Sequence, residues 1–397
     1  MWHHVRVTDA HDTRPQGTDR SVAPPRRTVH VDSVDLLRVH PWLDLFSAVA
    51  PALRPSRLWI AFVTLLLIAG FGRVWDGLGT LHPFDSLSRG IRQGFLSCVA
   101  GVVSLDPRAA MAGLHDTLWT TPVDSWHHER LFTVCFALVA LAIFGLGAGM
   151  LSRHFAGEIA GNSWSVAEVR RYVRERRVAL LAAPLLGGLI GGALVLVLLI
   201  SGVLFHIPLF NVIAGALGGL WLLLAGLAII VWGCILVGYP LLAPAVACDG
   251  CDGIESVQRA GAYSLARPFL YAWLLLVSVV ILALVAAVAD GVATGAWRLA
   301  ISALSAGLPP ETLASAGQLS WLTPASPAPP HGGALTDGAT ASLLDMWRTV
   351  LRLLVGAAIL STAVSLATRI YLVLRRSCDG QDQTDIWEDV KSSPPSA

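Results

Sequence analysis

Six stretches of this chain are so apolar and so long that only a bilayer gives them a consistent environment. They cover about residues 58–74, 131–151, 179–204, 212–246, 269–289 and 350–374. A helix rises about 1.5 Å per residue, so roughly 20 apolar residues cross a hydrocarbon core of ~30 Å. That core holds no water, so every backbone N–H and C=O must be bonded within its own segment, and each stretch must be helical. Composition agrees. The 397 residues are 54% hydrophobic and 14% charged, where soluble domains carry about 25% charged residues. The expected fold class is all-α integral membrane, with six transmembrane helices plus amphipathic interfacial helices on both faces.

Residues 1–33 are polar and rich in Pro, Arg and His, which predicts a disordered tail and no cleavable signal peptide. The membrane domain is expected over 34–376. At its start, Asp35 to Leu53 carries Leu36, Leu37, Trp42, Leu45, Phe46 and Val49 around Pro41, the pattern of a helix lying on the bilayer. Trp59 and Trp75 bracket the first span as interface anchors. Segments 84–105 and 109–119 have helical periodicity without a full apolar run. They are read as half-buried helices on the outer face, the alternative being a re-entrant pair packed within protein. The fourth run is longer than a bilayer requires, so it tilts or kinks near Pro240 and Pro244. A further amphipathic helix is expected from Asp290 to Leu308, a flexible Pro/Gly/Ser-rich loop from Pro309 to Gly338, and a mobile tail over 377–397.

Arginine sets the orientation. Arg54 and Arg57, the Arg170–Arg177 cluster, Arg259 and Arg267, and Arg369, Arg375 and Arg376 fall on one side of a six-span arrangement. Basic residues near span ends stay cytoplasmic, so both termini are expected inside, in a cell inner membrane. Net charge is +1 and no basic, aromatic-interleaved patch occurs, which argues against nucleic acid as a partner.

The densest polar piece follows the fourth span. Asp249 and Asp252 open it, and Asp252, Glu255, Arg259, Tyr263 and Arg267 recur three, four, four and four residues apart. On a helix these five share one slowly drifting stripe. The opposing polar segment, Arg153 to Arg177, carries Glu158, Glu168, Arg170 and Arg174, with Ser165 and Glu168 forming a capping-box pattern. The plain reading of the stripe is a well-capped amphipathic helix on the membrane surface. The sharper one is a lock between the two segments, Glu255 or Asp252 facing Arg170, Arg174 or Arg177 and Arg259 or Arg267 facing Glu158 or Glu168, which would make a cytoplasmic docking face. These same two stretches, together with Ala183-Pro184-Leu185 and Arg267-Pro268, resemble a family of multi-pass membrane proteins of planctomycete-type bacteria. The resemblance covers Leu58 to Arg375. It implies an envelope membrane protein and assigns no activity.

Other patterns carry less chemistry. Gly187, Gly188, Gly191 and Gly192, with Gly215 and Gly219 beyond a short loop, are spaced for close packing of spans three and four. Cys248-Asp-Gly-Cys251 lacks the second ligand pair of a zinc site and the βαβ context of a redox pair. His127 and His128 are adjacent, and so do not share a helix face as zinc-binding pairs do; His82, His115 and Asp116 belong to the same outer region. No metal or cofactor is expected. The centres of spans two to five carry no ionisable residue, which argues against an ion-coupled pump. The sequence therefore points to a non-enzymatic scaffold or accessory component, with the lipid bilayer and a cytoplasmic protein as partners. The alternative is a permease-like transporter of a neutral or lipidic solute.

Overall fold

In the computed structural model, residues 42–79, 82–204, 215–216, 218–305 and 335–387 are described. Among them all regular structure is helical. The helices are α1 (Leu43–Ala52), α2 (Pro55–Leu78), α3 (Pro83–Val103), α4 (Pro107–His115), α5 (Thr121–His128), α6 (Arg130–Ile159), α7 (Val166–Glu175), α8 (Arg177–Leu204), α9 (Gly218–Asp249), α10 (Gly253–Ala266), α11 (Pro268–Leu304) and α12 (Leu335–Asp379). Six of them, α2, α6, α8, α9, α11 and α12, are long and apolar enough to cross a membrane. The chain is an all-α multi-pass membrane protein. The 1–33 tail and the 205–211 loop lie outside the described residues.

The last helix is the pillar of the bundle. Half of the apolar window of α12 is buried, against 22% or less in each of the other spans. Its buried face carries Ser361, Thr362, Ser365 and Thr368. Thr362 and Thr368 donate back to Ala358 O and Val364 O at 2.8 Å, and Thr368 also reaches Ser152 Oγ of α6 at 3.1 Å. Small polar residues of this kind let helix backbones approach within lipid and bond across the seam. Ile60 and Ala61 of α2, Ala148 and Leu151 of α6, and Ala357 and Val364 of α12 form one apolar cluster along it.

Several boundaries differ from those the sequence suggests. Segment 35–53 is not a surface helix over its described part. Leu45, Ala48 and Ala52 are buried, Asp44 pairs with Arg369, and Ser361 donates to Ala52 O at 2.6 Å. The bilayer surface loses to α12 because α12 offers partners for both the acid and the helix-end carbonyl. The amphipathic helix expected at Asp290–Leu308 is the end of α11, which runs unbroken from Pro268 to Leu304. Its polar residue Asp290 is buried, and Trp297 packs with Leu344 and Leu351 of α12. Helix α12 starts at Leu335, inside the expected flexible loop; residues 309–334 of that loop lie outside the described residues.

The glycine pattern divides by face. A Cβ on Gly187 would lie 3.1 Å from Ile235, and one on Gly191 would lie 2.6 Å from Trp232. These two, four apart, are where α8 meets α9. Gly188, Gly192, Gly215 and Gly219 face open space, so two of the six expected packing glycines pack. At the opposite end of the bundle from Asp249, α3 and the run α4–α5 form an antiparallel hairpin. A π-helical turn, Asp116–Thr120, joins α4 to α5. Glycine is required there, since a Cβ on Gly101 would sit 2.2 Å from Ala110 N and one on Gly113 2.3 Å from Cys98 N. The wall of α3 from Gly90 to Val103 faces Val280 to Ala287 of the fifth span across a groove.

Candidate interaction site at the arginine-rich end

The end of α9 organises this site. Pro240 and Pro244 remove two backbone donors from its last turns. Gly250 then adopts φ +64° and its N–H returns to Val246 O at 3.1 Å, closing the helix. A helix end leaves carbonyls without intrahelical partners. Here Val246 O, Ala247 O and Cys248 O also take donors from other parts of the fold. Tyr172 of α7 donates its hydroxyl to Val246 O at 2.6 Å, Arg153 of α6 donates Nη1 to Ala247 O at 2.8 Å, and Trp387 N–H donates to Cys248 O at 2.8 Å. Glycine at 250 is needed a second time for space, because a Cβ would lie 2.6 Å from the Trp387 ring.

Asp249 is the ionic hub. Its Oδ1 accepts from Arg375 Nη1 at 2.6 Å, and its Oδ2 accepts from Arg259 Nη1 at 2.5 Å and from the Tyr371 hydroxyl. Arg375 is 2% exposed, and its Nη2 also donates to Asp382 O at 2.7 Å and Asp385 O at 2.5 Å. Arg259 grips Glu255 through Nε and Nη2 at 3.0 and 2.6 Å. Burial opposes the charge on Arg259, but hydrogen bonding to Glu255 and the carboxylate of Asp249 outweigh it and leave the guanidinium more basic than usual. Tyr263 donates to Asp379, and its ring lies 5.6 Å from that of Tyr371. Burial, then the Asp379 carboxylate, push the Tyr263 phenol upward. Helix α10 begins where it does because Asp252 accepts from Glu255 N at 2.8 Å, an N-cap.

Two further arginines fasten the neighbouring spans. Arg57 of α2, fully buried, reaches Glu158 Oε2 at 2.5 Å and both His154 Nδ1 and His154 O at 3.2 Å. Arg54 adds a second contact to Glu158 at 2.9 Å. Arg153 lies between the rings of Trp164 and Tyr172, at 3.9 and 4.2 Å from their centroids, a cation held between two quadrupoles. Arg176 caps Trp387 from the other side at 4.7 Å.

Of the site residues expected from sequence, Asp249, Glu255, Arg259 and Tyr263 converge. Asp252 and Arg267 stand at the two ends of α10, both exposed, and Arg170 and Arg174 are exposed on α7. The expected lock between the α10 stripe and the Arg153–Arg177 segment does not form. Glu158 is taken by Arg54 and Arg57, and Glu168 closes the capping box with Ser165. The stripe fastens instead to the ends of α9 and α12. The residues sequence reasoning missed are Arg375, Tyr371, Asp379 and Trp387, more than 100 positions away. The one signal was Arg375-Arg376 at the end of the sixth span, which reads as a topology marker. The tail expected to be mobile from 377 is tied down as far as Trp387, with Ile386 buried in the main core.

The remaining candidates do not converge. Cys248 and Cys251 are both buried and free, and burial with the nearby charge of Asp249 pushes the Cys251 thiol up to about 12. Such a thiol stays protonated and unreactive at neutral pH. His127 and His128 are exposed, and His128 Nδ1 lies 2.7 Å from Asp124 O. Among the described residues no three His, Cys, Asp or Glu side chains gather to hold a metal. No protein-family description, curated protein or solved structure matches this chain.

Proposed function

We propose that this protein is a non-enzymatic scaffold or accessory component of a bacterial inner membrane. Both termini are cytoplasmic, and the arginine-rich end docks a protein partner. The observation that carries this reading is the cross-bracing at Asp249. Carbonyls and a carboxylate at the end of one span take donors from α6, α7, α10, α12 and the tail. A rigid, polar platform that includes the ends of three spans, α6, α9 and α12, suits a surface presented to another protein. Around it, Arg170, Arg174, Asp252 and Arg267 are exposed and supply charge for recognition. The resemblance to envelope membrane proteins of planctomycete-type bacteria supports the same location.

Photo-crosslinking residues at Arg170, Arg174 and Asp252 test this reading in native membranes. One defined protein adduct should recur at all three positions and be missing at lipid-facing Leu222 and Ile229. Scattered adducts, or the same adducts at the lipid-facing controls, would rule out a dedicated docking face. Cysteines at Thr18 and Ser326, in a background without the native thiols, test orientation: Thr18 should resist an impermeant thiol reagent in intact cells and Ser326 should react.

A second reading rests on a separate cavity. About 230 Å³ of apolar space lies among α6, α8, α9 and α12, lined by Pro184, Pro240, Pro244, Tyr239 and Phe144. Helices weakened by proline around an apolar void suit passage of a neutral or lipidic solute. Blocking it with Ala363→Phe should abolish uptake by proteoliposomes under that reading, and should leave docking intact under the first.

A further inference from the structure

The groove between the α3 hairpin and the fifth span is graded from polar to apolar along its length. It holds about 1420 Å³ and opens to the side. The close approaches of the hairpin fix its register: Gly90 faces Thr121, Gly94 faces Thr117, and Gly101 faces Ala110. Arg92 on α3 therefore lies level with the stretch between Asp116 and Thr121 on the returning strand of the hairpin. Arg92, Asp116, Thr120 and Asp124 line one part of the groove. Further along α3, its walls are Phe95, Val99 and Val103 on one side and Val280, Leu284 and Ala287 on the other.

Each element has a counterpart in one class of molecule. Arg92 is half-buried and makes no ion pair among the described residues. A planar guanidinium of this kind suits a phosphodiester, which it can take by two parallel hydrogen bonds. Asp116 and Asp124 are exposed on the same rim, more than two helical turns apart. Asp116 Oδ1 accepts from Thr120 Oγ1 at 3.2 Å, which leaves its second oxygen for a cation with N–H donors. The apolar walls suit acyl chains. We propose that the groove binds a glycerophospholipid of the phosphatidylethanolamine type, from the leaflet opposite the Asp249 end. Its phosphate lies at Arg92, its ammonium at Asp116, the nearer of the two carboxylates to the level of Arg92, and a chain runs along Val99 and Leu284. A phosphatidylglycerol headgroup would bring no cation to the two carboxylates. A phosphatidylcholine headgroup would bring a cation without N–H donors. This site lies at the other end of the bundle from the proposed docking face and does not rest on that reading.

Native mass spectrometry of the full-length protein tests it, with phosphatidylethanolamine, phosphatidylglycerol and phosphatidylcholine of identical chains offered at equal concentration. The ethanolamine lipid should be retained about tenfold over each of the others, the size expected of a charge-assisted pairing. Arg92→Gln should weaken retention of all three lipids. Asp116→Asn with Asp124→Asn should erase the ethanolamine preference, bringing retention of that lipid level with phosphatidylcholine. Arg89→Gln, on the same helix and outside the groove lining, should change nothing. Equal retention of the three lipids, a preference for phosphatidylglycerol, or a preference that survives the double Asp variant would overturn the proposal. The two aspartates are exposed, so that variant remains decisive even if Arg92→Gln does not fold.

Discussion

Asp249→Asn removes one charge and almost no volume, and so isolates the hub of the arginine-rich end. In the variant, Arg375 keeps Asp382 O and Asp385 O but loses the one carboxylate it contacts among the described residues, while remaining 2% exposed. Breaking a buried ion pair from one side costs about 3–5 kcal/mol, because the remaining charge stays desolvated. Arg259 adds little, since it is a third exposed and keeps Glu255; a partly screened pair is worth roughly 0–1 kcal/mol. The Tyr371 hydroxyl retains an amide oxygen as acceptor. The expected loss is therefore about 4 kcal/mol. Glu255→Gln, whose side chain is 45% exposed, should cost no more than about 1 kcal/mol. Chemical unfolding in lipid nanodiscs, followed by tryptophan fluorescence, compares the two, with Trp387 as a reporter at the site itself. A cycle with Arg375→Met should give a coupling of about 2 kcal/mol with Asp249→Asn. Glu158→Arg should not rescue Arg259→Glu, because Glu158 answers to Arg54 and Arg57. Equal losses for Asp249→Asn and Glu255→Gln, or rescue through Glu158, would refute this account of the hub.

Other outcomes follow from single contacts. Gly191→Leu should lower the melting temperature, since even a Cβ would sit 2.6 Å from Trp232, whereas Gly188→Leu should leave it unchanged. Gly101→Ala should part α3 from α4, because the new carbon would meet backbone at 2.2 Å; overpacking of this kind costs about 1–3 kcal/mol, and a melt that does not move would contradict the hairpin contact. Cys251, with its thiol pushed up to about 12, should resist iodoacetamide at pH 8 in the folded protein and react at full rate once unfolded, as peptide mapping would show. Gly250→Ala should destabilise on two counts, a left-handed backbone and the Trp387 ring, and Trp387→Gly in the same chain should recover only the second part of the loss.

The chain by itself determined the class of fold and the number of spans. Apolar runs of bilayer length leave a helix no alternative, and that constraint is local. It also determined where α10 begins, through Asp252, and how α7 is capped, through Ser165 and Glu168, because capping acts over three residues. What lies beyond a helical turn was decided by the tertiary structure. Arg259 and Glu255 were legible as a pair four residues apart; that Asp249 also answers to Arg375 and Tyr371, more than 120 positions later, was not. Glu158 and the α10 stripe had suitable charges for each other, but Arg57 reaches Glu158 first because α2 packs beside α6. The glycines of spans three and four were equally small in sequence, and the rotation of α8 against α9 alone separated Gly187 and Gly191 from Gly188 and Gly192. Periodicity gives the face of a helix and says nothing of which neighbour that face meets, since in a bilayer every apolar face is soluble against lipid and the partner is chosen by packing and by a few buried charges.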